Sequence, residues 1–104
     1  DGTALAYPAS IAFLAYSASL QSQLTPATWA VVAIGATLSS VGAAPVPNAG
    51  LVLLIGIFEN AFPGQNIPAA IAFIQAAETI VTDRVQTAVN VMGDCSVALC
   101  VQHL

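Results

Sequence analysis

Glycine and proline residues divide an otherwise apolar chain into four predicted helical pieces. The pieces cover residues 3–20, 26–39, 51–62 and 69–104. The first has no charged residue and can cross most of a bilayer, whereas the second and third are too short at about 1.5 Å per residue. The fourth would extend roughly 54 Å as a helix, so it must tilt, bend or protrude from a membrane. This pattern predicts an all-α protein with two long helices and a pair of short ones between them.

The two short pieces are predicted to form a helical hairpin. Thr25 is expected to cap the first of them, with Pro26 in the first helical position. Residues 40–50 are rich in Gly, Pro and Ser and cannot form a regular helix, so the pieces would meet at a broken tip, as in a re-entrant hairpin. Alternatively, the tip lies at the surface and the halves pack as interfacial helices. A broken helix exposes carbonyls from one end and amides from the other, which here belong to Ser40, Val41 and Ala43 and to Val46 and Gly50.

A polar stripe runs along one face of the fourth piece, within an arc of roughly 100° on an α-helix. It consists of Asp83, Gln86, Thr87, Asn90 and Asp94. A charged side chain in the bilayer core costs on the order of 3 kcal/mol and is rarely there without a role. Asp94 and Asn90 offer oxygens to a cation, while Asp83 and Thr87 offer an acceptor for an ammonium group and a hydroxyl for a carboxylate. The alternative is a structural polar seam between packed helices.

Glu78 falls off the stripe on this periodicity, so we expect it to contact solvent or a helix.

Composition places the chain in a membrane. Of its 104 residues 58% are hydrophobic and 6% are charged, with a mean hydropathy of +0.86, whereas soluble domains carry about 25% charged residues. A net charge of −4 disfavours nucleic acid and anionic membrane surfaces as partners. The chain opens on Asp1 without an initiator Met or a signal peptide, so we expect an internal piece of a longer, multi-pass membrane protein.

Three motifs occur in a recognisable order. They are DGTAL at residues 1–5, SVGAA at 40–44 and DRxxTxxNVxGD at 83–94. Together they resemble the C-terminal core of the glutamate transporter family, the dicarboxylate/amino acid:cation symporters, which include excitatory and neutral amino acid transporters. The resemblance implies that residues 1–20 are the second half of the seventh transmembrane helix, 26–62 the second re-entrant hairpin and 69–104 the eighth transmembrane helix of a transport domain.

The resemblance also implies three sodium sites. Asp1 would contribute to one of them, together with groups outside this chain. Asp94 and the Asn90 carbonyl would hold a second ion. The third would be formed by the carbonyls of Ser40, Val41 and Ala43 and closed by the hairpin acting as a gate.

A substrate site is implied beside these ions. Asp83 would bind the amino group of an amino acid, and Asn90 and Thr87 its polar ends. Thr3 would lie nearby, and Val46 would offer a backbone amide. Sodium would favour the state in which hairpin and substrate are locked together, so that coupling is thermodynamic. The family also implies alternating access, a homotrimer formed through parts absent from this chain, and a place in the lipid bilayer of the plasma membrane.

Four positions depart from the family pattern. Gln86, a predicted substrate-binding residue, stands where carriers of glutamate or aspartate have an Arg, and Gln cannot grip a carboxylate with a bidentate charged pair. Thr79 replaces an Asp one turn before Asp83. Tyr7 replaces a Glu associated with proton and potassium coupling, and Pro45 replaces a hairpin Gly, which should stiffen the gate. Gln86, Thr79 and Tyr7 together favour a neutral amino acid, small and polar or amide-bearing, over an acidic one.

Other classes of protein are alternatives to an amino acid carrier. An intramembrane aspartyl protease needs two acids that share a water, but Asp83 and Asp94 lie about 16 Å apart along one helix. We therefore expect no enzymatic activity. A sodium-coupled glutamate, aspartate or dicarboxylate transporter remains open, as does a degenerate member of the family that is non-transporting or channel-like.

Overall fold

The computed structural model describes residues 2–43, 46 and 48–104, and in those residues all regular structure is helical. The helical elements are α1 (Gly2–Ser17), the 3₁₀ turn Gln21–Gln23, α2 (Pro26–Gly42), α3 (Ala49–Ala61), α4 (Ile71–Ala77), the π-helical turn Glu78–Thr82 and α5 (Asp83–Gln102). The predicted all-α class is confirmed for this part of the chain. Asp1 and Pro45, which figure in the predictions above, lie outside the described residues.

Local hydrogen bonds define where α1 ends and α2 begins. After α1, Ser19 takes a left-handed conformation with φ 58°, and the Leu20 amide donates to the Ala15 carbonyl at 2.8 Å. This is the pattern by which a helix satisfies its last carbonyls. At the start of α2, the Thr25 hydroxyl accepts an amide of the first helical turn, and Pro26 is the first residue of the helix. The predicted cap is confirmed.

The hydrophobic core lies where α1, α2 and α3 meet. In α1 the buried positions recur at helical spacing and therefore form one face. The core side chains are Tyr7, Ile11, Leu14, Ala15, Leu20, Val32, Ala36, Leu54, Ile57, Phe58 and Phe62. None of these fully buried hydrophobic residues belongs to α4 or α5. The helical run that carries the polar stripe thus packs beside the core rather than in it.

Helices α2 and α3 pack against each other, and residues 43–48 connect them. A Cβ added at Gly35 would lie 3.1 Å from Ile57 Cγ1, so the small residue allows this contact. Helix α2 continues to Gly42, beyond its predicted end at residue 39. Within the residues that the structure describes, no helix combines the length and the apolar character that a membrane crossing requires. The transmembrane and re-entrant assignments stay predictions.

The last helical run contains a π-helical turn between α4 and α5. The Asp83 amide donates to the carbonyl of Glu78, five residues earlier, and this spacing defines a π-helix. The change of helix type falls at Glu78–Thr82, and the helix from Asp83 to Gln102 is continuous. Because a π-helical turn holds more residues than an α-helical turn, it changes which side chains of the preceding residues lie on the same face as those of α5.

Candidate functional site

A cleft of about 560 Å³ lies between the start of α1, the connection from α2 to α3, and the run from α4 to α5. We call it the polar cleft. Its lining consists of Thr3, Tyr7, Ala43, Val46, Asn48, Ala49, Gly50, Gln75, Glu78, Thr79, Asp83, Gln86, Thr87, Asn90 and Val91. Because residues from four helices and one loop face it, the cleft exists only in the folded chain.

Two hydrogen bonds attach the start of α1 to α5. The Gly2 amide donates to Asn90 Oδ1 at 2.8 Å, and the Thr3 hydroxyl donates to Gln86 Oε1 at 3.3 Å. A Cβ added at Gly2 would lie 2.6 Å from both the Cα and the carbonyl oxygen of Gln86. Since those are backbone atoms of a helix, only glycine permits this approach. The contact holds Thr3, Gln86 and Asn90 together on one wall of the cleft.

The start of α3 forms another wall, held by a side chain from the core. The Tyr7 hydroxyl donates to the Gly50 carbonyl at 3.0 Å, and the Tyr7 side chain is buried. Glu78 approaches the same point, because a Cβ added at Gly50 would lie 2.6 Å from Glu78 Oε1 and 3.3 Å from the Tyr7 hydroxyl oxygen. The Glu78 carboxylate therefore lies beside the first turn of α3.

The expectation that Glu78 lies off the polar stripe is wrong, whereas the expected contact with a helix is confirmed, because Glu78 lies beside the first turn of α3. It lines the polar cleft together with Asp83. An uninterrupted 3.6-residue helix would have placed Thr79 one turn before Asp83, but the π-helical turn holds more residues per turn. The extra residue brings position 78 onto the cleft face. Sequence periodicity carries no signal for a π-helical turn, so it did not predict that Glu78 lines the cleft.

The predicted substrate-binding residues lie around one cleft. Its lining includes all six of them, namely Thr3, Val46, Asp83, Gln86, Thr87 and Asn90, and also Ala43 from the predicted sodium set. The Thr87 hydroxyl donates to the Asp83 backbone carbonyl at 2.8 Å, so it would have to rotate in order to donate to a ligand. Their roles in binding stay predictions.

The remaining predicted sodium ligands among the described residues lie outside the cleft lining. Ser40 and Val41 belong to the last turn of α2, where carbonyls have no partner within the helix. Asp94 is exposed on α5, one turn beyond Asn90. Carbonyl and carboxylate oxygens suit a hard cation. The donor set therefore fits sodium, and the ion sites themselves stay predictions.

The charge of the cleft is negative. Glu78 and Asp83 are its two acidic residues, and none of the described residues in its lining is basic. The chain has one Arg and one His in total. Arg84 is exposed and does not line the cleft. A positively charged or hydrogen-bond-donating group fits this environment better than a second carboxylate.

Comparisons with known proteins find relatives that match over the full length of the chain. A family model described as the sodium:dicarboxylate symporter family matches residues 1–104. The chain is 36% identical over 104 residues to excitatory amino acid transporter 2 of Homo sapiens, an alignment that covers 100% of this chain and 17% of that protein. It is 34% identical over 105 residues to excitatory amino acid transporter 4 of Mus musculus, which covers 100% of this chain and 18% of the relative. No solved structure matches the chain.

The chain thus belongs to the symporter class of proteins. The chain is a member of the sodium:dicarboxylate symporter family, because the family model covers its whole length. The predicted family resemblance is confirmed. The chain spans less than a fifth of the length of these curated relatives.

Proposed function

We propose that this chain forms part of the transport domain of a membrane carrier that couples sodium to the movement of an amino acid by alternating access. The observation that carries the proposal is the convergence of six predicted substrate-binding residues, from three separate segments, on one cleft. The family description, which names sodium and symport, supports the coupling ion. The carrier would act without enzymatic chemistry, as a trimer in the plasma membrane.

The substrate we propose is a neutral amino acid. Asp83 would accept the α-ammonium group, while Thr87 and Asn90 would bind the α-carboxylate. The names of the relatives, excitatory amino acid transporters, favour an acidic substrate instead. Gln86 favours a neutral one, because a side-chain carboxylate needs a charged partner that the described lining lacks. A direct comparison of substrates decides between them.

Sodium-driven uptake by the full-length protein in proteoliposomes tests the proposal. We expect uptake of alanine, serine or glutamine to require sodium and to exceed uptake of glutamate. Tighter binding of glutamate than of these neutral amino acids would refute the neutral substrate, and absence of sodium-dependent uptake would refute the carrier.

A substitution of Asp94 tests the proposed sodium site. In Asp94→Asn we expect the sodium concentration for half-maximal uptake to rise about tenfold, because losing only about 1.4 kcal/mol of binding free energy has that effect. Glu59→Gln is the matched control, since Glu59 is an exposed acid on α3 outside the cleft. An unchanged sodium requirement in Asp94→Asn would count against the ion site.

A further inference from the structure

A second cavity of about 290 Å³ adjoins the polar cleft. Tyr7, Glu78 and Gln86 line both spaces, so they form the boundary between them. Most of the other lining of the second cavity is apolar, including Phe13 and Leu54. A ligand that extends from the cleft towards this cavity must pass the polar groups at the boundary.

The boundary presents one acceptor and one donor. The Glu78 carboxylate can only accept hydrogen bonds when ionised. Gln86 Oε1 already accepts from Thr3 at 3.3 Å, which makes the amide nitrogen the donating end of that side chain. A carboxamide group carries both an N–H donor and a carbonyl acceptor, so it complements this pair. A carboxylate would be repelled by Glu78. An ammonium group would be attracted by Glu78 but has no acceptor for the donating end of Gln86, so only a carboxamide satisfies both side chains.

The spacing along the helical run sets the size of the ligand. Glu78 and Asp83 are five residues apart and the Asp83 amide donates to the Glu78 carbonyl, so the two positions are separated by about one helical turn, roughly 5 Å along the axis. A ligand that reaches both carboxylates needs two donor groups separated by several bonds. The α-ammonium and side-chain amide groups of glutamine or asparagine satisfy this requirement, whereas alanine has only the first.

We propose that Glu78 is a specificity-determining residue of the polar cleft, which accepts a hydrogen bond from the side-chain amide of a glutamine-like substrate whose α-ammonium group is bound by Asp83. This inference rests on the proposed function and names its substrate class. Gly50 contributes by leaving room for the carboxylate, since a Cβ there would lie 2.6 Å from Glu78 Oε1.

Competition experiments on the full-length protein in proteoliposomes test the inference. Sodium-driven uptake of labelled alanine is inhibited with unlabelled glutamine, glutamate or lysine. For the wild type we expect glutamine to inhibit at a concentration about tenfold lower than glutamate or lysine, as one charge-assisted hydrogen bond allows. Stronger inhibition by lysine or glutamate would overturn the inference.

Two variants test whether Glu78 determines the preference for glutamine. Glu78→Gln removes the charge while keeping the shape, and Gly50→Ala displaces the carboxylate while keeping the charge. In both we expect the concentration of glutamine that half-inhibits alanine uptake to rise about tenfold, while the concentration of alanine for half-maximal uptake stays unchanged. Glu59→Gln and Gly56→Ala are the matched controls, because Glu59 lies outside the cleft and a Cβ at Gly56 has open space around it. An unchanged preference in Glu78→Gln, or an equal loss in its control, would overturn the inference.

Thermal unfolding of the purified protein separates this inference from the proposed function. If Glu78→Gln abolishes uptake altogether, the melting temperature of the variant is measured with each amino acid. A variant that alanine still stabilises but glutamine does not supports the role of Glu78. A variant that has lost both stabilisations equally overturns it. If the wild type shows no sodium-dependent uptake but is stabilised by glutamine through Glu78, the proposed transport fails while the specificity site stands.

Discussion

The close approach of α1 to α5 is open to a direct test through Gly2→Ala. The added Cβ would lie 2.6 Å from two backbone atoms of Gln86, in a helix that cannot yield locally. Non-bonded carbon atoms prefer separations of about 3.5–4.0 Å, so the two helices must part by roughly 1 Å. That movement would stretch the 2.8 Å hydrogen bond from the Gly2 amide to Asn90 Oδ1 beyond useful length.

Two contributions set the size of the effect. Overpacking of this kind costs about 1–3 kcal/mol. Loss of the hydrogen bond adds about 1 kcal/mol. The free energy of unfolding should therefore fall by about 2–4 kcal/mol. Because Thr3 and Gln86 lie on the same wall of the polar cleft, sodium-dependent amino acid binding should weaken as well.

Thermal unfolding of the purified full-length protein measures the change in stability. Gly56→Ala is the matched control, because a Cβ at Gly56 has nothing within 4 Å and alanine favours a helix interior by about 0.5–1 kcal/mol. We expect Gly2→Ala to melt below the wild type, and the control to melt at or above it. Equal melting temperatures for the two alanine variants would refute the close approach.

Two further substitutions test the packing behind the site. Tyr7→Phe removes the donor to the Gly50 carbonyl and should lower the free energy of unfolding by about 1 kcal/mol, whereas Tyr16→Phe, at an exposed tyrosine, should leave it unchanged in the same thermal assay. Phe58→Ala should cost about 3–5 kcal/mol because the ring is fully buried, and Phe73→Ala should cost much less because that ring is 65% exposed. Equal effects within either pair would contradict the assigned core.

Much of the helical fold was predictable from local chemistry. The breaks near Thr25 and between α2 and α3 follow from Gly, Pro and capping residues, whose conformational preferences act over a few positions. The second break is shorter than the predicted range 40–50, because α2 continues to Gly42 and α3 begins at Ala49. The family motifs likewise identified residues that converge on one cleft, such as Thr3, Asp83 and Asn90. The roles assigned to them, and the membrane path of the helices, stay predictions.

The sequence by itself thus determined the helical class, the cap at Thr25 and the family, because these depend on neighbouring residues and on short motifs. Only the tertiary structure placed Glu78 beside Gly50 and Tyr7 at the edge of the cleft. The reason is that a π-helical turn changes the register by which a helix presents its side chains, and no residue pattern of period 3.6 reveals it. The contact of Gly2 with Gln86 is likewise a meeting of residues distant in the chain, which packing alone decides.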